Sequence, residues 1–272
     1  MLRHLDLFSG IGGFALAARM VGGYETVAFC EIDPFCRMVL RAHWPGVPVH
    51  DDVRTLSGIE CDIITGGFPC QDISFAGTGA GIEGSRSGLW SEYTRLIGEI
   101  RPRYILVENV AALLGRGLDR VLGDLAALGF DAEWHCIPAS AVGAPHRRDR
   151  IWIMAYAQCD GRQQAPTVRH IGELGERTYT ACGYRESETA FALCGRDGVP
   201  PRADTGDSGG HDPVDCRGTV RGGHWRSEPP MGRVVDGLSS ELVEDELHAL
   251  GNAIVPQVAA IFLQIIKEAN EA

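Results

Sequence analysis

The sequence predicts an α/β fold: a mostly parallel sheet with helices on both faces, joined to a small irregular region. Three observations lead there. Short apolar runs alternate with amphipathic helical stretches from residue 5 to about 157, the pattern left by parallel strands joined through crossover helices. Helix ends are marked where that alternation needs them, with Asp33 as an N-cap before Pro34, and Gly22-Gly23 and Gly129 at helix stops. Past Ala157 the texture changes. Residues 157–230 hold eleven of Phe, Ile, Leu, Val, Met, Trp and Tyr against twelve glycines, too little apolar surface for a core of their own.

In chain order, "LDLF" reads as the first strand and Phe14–Val21 as the first helix. "TVAFCEID" is the second strand, followed by a helix over Pro34–Trp44. "CDIITGG" is a strand, Leu89–Ile100 a helix, "YILVENV" a strand, Leu118–Leu128 a helix and "RIWIMAYA" a strand. Each strand is a short, nearly continuous apolar run, as in sheets covered on both faces. Order is expected to return near Leu242, and "PQVAAIFLQIIKEAN" reads as an amphipathic helix led by Pro256. Three parts follow: residues 1–157, an irregular region over 158–240, and a segment over 241–272 that returns to the first part.

With 272 residues and 44% apolar content, the chain can bury a substantial core. No stretch reaches the roughly 18 to 20 apolar residues of a membrane span, and "LDLF" begins too early to leave room for a signal peptide. A cytoplasmic protein is expected. The net charge of −11 means that any nucleic-acid role needs a local basic cleft on an acidic body. All but Lys267 of the 25 basic residues are arginine, the better bidentate reader of bases and phosphates. Nine cysteines, an odd number spread through the chain, read as reduced thiols, with Cys30, Cys36, Cys61, Cys70 and Cys136 in apolar strand or helix contexts. There is no CxxC pair, and Cys159, Cys182, Cys194 and Cys216 follow no common zinc spacing, so no metal centre is expected.

Chemistry concentrates at the carboxyl ends of the expected strands, where ligands bind in open α/β sheets. Gly10, Gly12 and Gly13 form a turn between strand and helix, and Glu31 lies nineteen residues beyond Gly12 at the next strand end. That pairing suits an adenosine-containing cofactor whose ribose a carboxylate holds. The GxGG spacing departs from the dinucleotide fingerprint and disfavours NAD. Cys70, in "GGFPCQDIS", follows a strand with a rigid proline turn and suggests covalent catalysis. Glu108 ends "YILVENV" and is a candidate proton donor, while Arg147, Arg148 and Arg150 form a cationic knot before "IWIM".

Taken in order, "DLFSGIGGF", "EIDPFC", "HDDVR", "GGFPCQDIS", "VENV", "HRRDRIW" and "GNAIVPQVA" resemble the cytosine-C5 DNA methyltransferases. The resemblance covers about residues 4–157 and 246–270. It implies a Rossmann-like class I methyltransferase fold, S-adenosylmethionine as methyl donor and double-stranded DNA as partner. It also implies a monomer of restriction-modification or phage type. Carried over by position, Phe8, Gly10, Gly12 and Gly13 would surround the donor. Glu31 would bind its ribose, Ile32 would flank its adenine, Asp52 would accept from the adenine amino group, and Asn252 with Ile254 would close the methionine end.

Cys70 would add to C6 of a flipped-out cytosine, Glu108 would protonate N3, and Arg148 and Arg150 would bind the base oxygen and the adjoining phosphate. Gln71 and Ser74 would neighbour the DNA strand, with Arg86 in a closing loop. Residues 158–240 would form a target-recognition region, with Arg217, Arg221, His224, Trp225 and Arg226 as DNA contacts by location. His146 stands where the family usually has glutamine. Two other readings remain: a relative that methylates cytosine in transfer RNA, against which "FPCQ" speaks, and a catalytically silent DNA-binding module of the same fold.

Overall fold

A computed structural model describes residues 1–69, 88–158 and 240–271. Seven strands share one sheet: β1 (Leu2–Leu7), β2 (Tyr24–Cys30), β3 (Val49–His50), β4 (Ile63–Gly66), β5 (Tyr104–Val110), β6 (Phe130–Pro138) and β7 (Asp149–Ala157), in the spatial order β3-β2-β1-β4-β5-β7-β6. The first five run parallel. The helices are α1 (Gly13–Val21), α2 (Pro34–His43), α3 (Leu89–Ile100), α4 (Leu118–Ala127), α5 (Ser240–Asn252) and α6 (Pro256–Glu271).

Two departures from the expected pattern share one cause. "RIWIMAYA" was expected to continue the parallel run, but β7 is antiparallel to both of its neighbours, β5 and β6. It is the return arm of a hairpin whose first arm, β6, has no clear apolar run, since only Phe130 and Ile137 are buried in "FDAEWHCIP". An edge strand needs only part of one face apolar, so its period-2 signal is weak. Cys136, expected in an apolar setting, is exposed on this strand, whereas Cys30 and Cys36 are buried and Cys61 is half-buried. β3 contributes only two residues, too few for any periodicity.

Two cores sandwich the sheet. On one face α3 and α4 cover β1, β4 and β5 with Trp90, Tyr93, Leu96, Val121 and Leu125, all buried. The Trp90 Nε1–H donates to Asp124 Oδ2 at 2.9 Å and ties the two helices together. On the other face α1 and α6 pack side by side over Leu106, Trp152 and Met154. α6 buries eight of its sixteen residues, from Val258 to Ile266, which is why an apolar helix so distant in sequence belongs to this core. The Tyr24 hydroxyl donates to the Leu263 carbonyl and the Lys267 ammonium to the Val21 carbonyl. Among the described residues no helix is long and apolar enough to cross a membrane.

Phe262 is wholly buried and stacks on Trp152, ring centroids 5.4 Å apart. Replacing it with alanine leaves a cavity that the sheet and α1 cannot collapse into. Phe262→Ala is expected to lower the unfolding free energy by about 3–5 kcal/mol, read from urea denaturation at neutral pH.

Candidate active site

β1 ends at Leu7, and Phe8 follows with φ of 51°. Its ring lies near parallel to that of Tyr93, centroids 6.2 Å apart. Ser9 Oγ donates to the Asp6 carbonyl at 2.6 Å, closing a tight turn. Gly10 and Gly12 adopt φ of 53° and 85°, a left-handed conformation that side chains disfavour. Around Gly10 a Cβ would meet nothing within 4 Å among the described residues. Around Gly13 a Cβ would come within 2.5 Å of Ile254 Cγ1. That close approach brings the start of α6 against the start of α1, so the expected donor residues Gly13 and Ile254 do meet.

Glu31 follows β2 and spans the gap between two loops. Its carboxylate accepts from Gly10 N at 2.7 Å and from Asp33 N at 2.8 Å. Asp33 itself caps α2 by accepting from Cys36 N at 2.8 Å. Ile32, between them, is 68% exposed. The unanticipated strand β3 brings Asp52 to the same end of the sheet, because His50 accepts from Glu31 N at 2.9 Å two residues before it. Asp52 Oδ1 accepts from Arg54 N, and Arg95 holds the nearby Val53 carbonyl at 2.9 Å.

Beneath the glycine turn runs a buried polar chain that the sequence reading did not single out. His4 Nε2 is 2.7 Å from Thr65 Oγ1 and its Nδ1 is 3.0 Å from Thr26 Oγ1. Thr65 Oγ1 in turn reaches Asp6 Oδ1 at 3.4 Å. Burial lowers the His4 pKa to about 3 and raises that of Asp6 well above the carboxylate range. Burial thus favours the neutral form of each, and β2, β1 and β4 are joined through hydrogen bonds. The signal was available as a histidine and an aspartate two residues apart on one face of an apolar strand.

Glu108 sits at the carboxyl end of β5, buried, with Oε1 2.9 Å from Arg150 Nε. The antiparallel register makes this pair possible, since Val110 faces Arg150 across β5 and β7. Desolvation pushes the Glu108 carboxyl up to about 7, against the opposing pull of Arg150 and then Arg148. A Cβ on Gly67 would lie 3.0 Å from Glu108 Oε2, so the turn after β4 passes directly over the acid. Asn109 was quoted only as part of a motif, yet it locks this turn. Its Nδ2 donates to the Phe68 carbonyl at 3.1 Å, two residues before Cys70. A buried asparagine ending an apolar strand could have marked it.

Arg148 has φ of 43° and donates through one terminal nitrogen to the carbonyls of Gly251 and Ala253, at 2.8 and 2.7 Å. It thus grips the junction between α5 and α6, and its buried Nε meets no acceptor among the described residues. Asn252 lies in the last turn of α5, its amide nitrogen 3.1 Å from His248 Nε2. Cys70, Gln71, Ser74, Arg86, Arg221 and Arg226 lie outside the described residues, as does nearly all of 158–240.

The profile of the C-5 cytosine-specific DNA methylase family matches residues 2–176, more than half of the chain. The chain belongs to that family. Among curated relatives, the type II methyltransferase M2.BsuMI of Bacillus subtilis is 38% identical over 163 residues, 57% of this chain and 42% of the relative. M.DsaV of Dactylococcopsis salina is 33% identical over 162 residues, 57% of this chain and 46% of the relative. The chain thus spans about half the length of the curated relatives it matches. The Dnmt2 methyltransferase of S. pombe shares the fold at a TM-score of 0.56 and 20% identity, covering 70% of this chain and 58% of that one.

The raised Glu108 pKa makes stability depend on pH. Because the folded pKa lies above the unfolded one, the native state holds the extra proton between about pH 4.5 and 7. Stability therefore falls as pH rises through that window. Glu108→Gln, which cannot ionise, is expected to gain on the wild type by roughly 1 kcal/mol per pH unit there, measured by denaturation at pH 5, 6 and 7.

Proposed function

We propose that this chain is a DNA (cytosine-5-)-methyltransferase that moves a methyl group from S-adenosylmethionine to C5 of a flipped-out cytosine through a covalent Cys70–C6 adduct. The observation that carries this reading is the buried Glu108, poised near neutrality and paired with Arg150 at the edge where the glycine turn opens. A carboxyl titrating near pH 7 can both give and take a proton at little cost.

The residues present suit the donor. Space at Gly10 among the described residues, a carboxylate at Glu31 with lone pairs left after its two N–H partners, and the exposed Ile32 fit the ribose and adenine of an adenosine. Phe8, Gly12 and Gly13 complete the turn, Asp52 accepts from the adenine amino group, and Asn252 and Ile254 close the methionine end. S-adenosylmethionine supplies an electrophilic methyl group when bound.

C5 of cytosine is a weak nucleophile. The Cys70 thiolate adds to C6 while the Glu108 carboxyl gives its proton to N3, so the electron pair is delivered to C5 without a full negative charge on the ring. Arg150 holds Glu108 in place and faces the base oxygen, and Arg148 keeps the α5–α6 junction against the site beside the adjoining phosphate. After C5 has been methylated, a base takes the C5 proton, the pair returns to expel the Cys70 thiolate, and N3 gives its proton back to Glu108. Flipping costs a few kcal/mol, which contacts from Gln71, Ser74, Arg86 and a recognition region over 158–240, including Arg221 and Arg226, offset.

Bisulfite sequencing of DNA from cells expressing the protein is expected to reveal new 5-methylcytosine in one sequence context, absent with Cys70→Ala. Methylation of transfer RNA but not DNA would move the substrate. DNA carrying 5-fluorocytosine is expected to trap a covalent protein–DNA complex in the presence of the donor, because fluorine cannot leave as a proton does. Failure to trap one would remove Cys70 addition. The single-turnover rate is also expected to fall as pH rises past about 7, as Glu108 loses its proton.

A further inference from the structure

The turn between β2 and α2 is held by a side chain that no donor contact explains. Arg37, one turn into α2, directs a single guanidinium nitrogen at two successive carbonyls, Glu31 O at 3.2 Å and Ile32 O at 2.6 Å. Carbonyls at a strand end have lost their ladder partners, and a charged donor satisfies them more firmly than water does. On the opposite side the Glu31 carboxylate holds Gly10 N and Asp33 N. The turn is fixed from both directions, and its apolar side chain, Ile32, is left 68% exposed. An exposed isoleucine alone is ordinary. One whose backbone is gripped on both flanks is a preorganised platform for a flat apolar surface.

Resting on the donor site read above, we propose that Arg37 is a positioning residue for the adenine of the methyl donor, acting through Ile32. It touches no reacting atom. It removes the ordering cost of the Glu31–Asp33 turn from the binding step, so its loss weakens donor capture and leaves the chemical step intact.

The test uses the full chain, with donor binding by calorimetry and steady-state methylation of unmethylated genomic DNA. Arg37→Met, which keeps the stem and removes the donors, is expected to raise the donor Kd and KM about tenfold with kcat at saturating donor unchanged. Arg37→Lys is expected to recover part of that loss. In an Ile32→Ala background, Arg37→Met is expected to add less than about twofold, the mark of two residues acting as one unit. Where the methionine variant fails to fold, Arg37→Gln carries the same comparison. Unchanged donor binding, a fall in kcat at saturating donor, or additive effects with Ile32→Ala would overturn the positioning role. A wild type that takes up no S-adenosylmethionine would overturn the donor site and this role together, whereas equal binding by wild type and Arg37→Met overturns only the latter.

Discussion

Everything at this site depends on the reversal of strand order between β1 and β4. From β1 the chain steps outward through β2 to β3, and from β4 it steps the other way through β5. Crossovers leaving in opposite directions open a crevice beyond the shared carboxyl edge. The two strands are drawn so close there that a Cβ on Gly66 would lie 2.5 Å from the Leu7 carbonyl oxygen. Glycine at that point lets β4 end flush with β1, Gly66 pairing with Leu7.

Three carboxylates within this edge are handled differently, and the differences divide their labour. Asp6 is buried, which favours its neutral form, and it belongs to the hydrogen-bonded chain that joins β1 to β4. Glu31 spends two acceptor positions on backbone N–H groups and so organises loops. Glu108 is buried too, but Arg150 and Arg148 pull its pKa back from the full effect of desolvation to about 7. Burial, backbone donors and neighbouring guanidinium groups thus give each acid on this edge a different setting.

Much of this was readable in the chain. Leu89–Ile100 and Tyr104–Val110 fall where periodicity put them, because both faces of each are set by burial alone. The Asp33-Pro34 start of α2 was legible for the same local reason. What escaped depends on distant partners. β3 is a strand only because Phe29 and Cys30 offer it a ladder, and β6 only because β7 pairs along its whole length. The grip of Arg148 on Gly251 and Ala253 joins residues more than a hundred positions apart. Arg37 carries no sequence signal of its own, because its partners are backbone carbonyls, those of Glu31 and Ile32.

That long-range grip has a bearing on how the protein is made. A ribosome delivers β1 through β7 well before α6, and among the described residues it is α6 that packs beside α1 on the Trp152 side of the sheet. Between the end of β7 at Ala157 and the start of α6 at Pro256 the nascent chain carries that apolar side of the sheet without its last helix, and the glycine turn lacks Ile254 throughout that time. The glycine turn is completed from the far end of the chain, when α6 docks and Arg148 meets its two carbonyls.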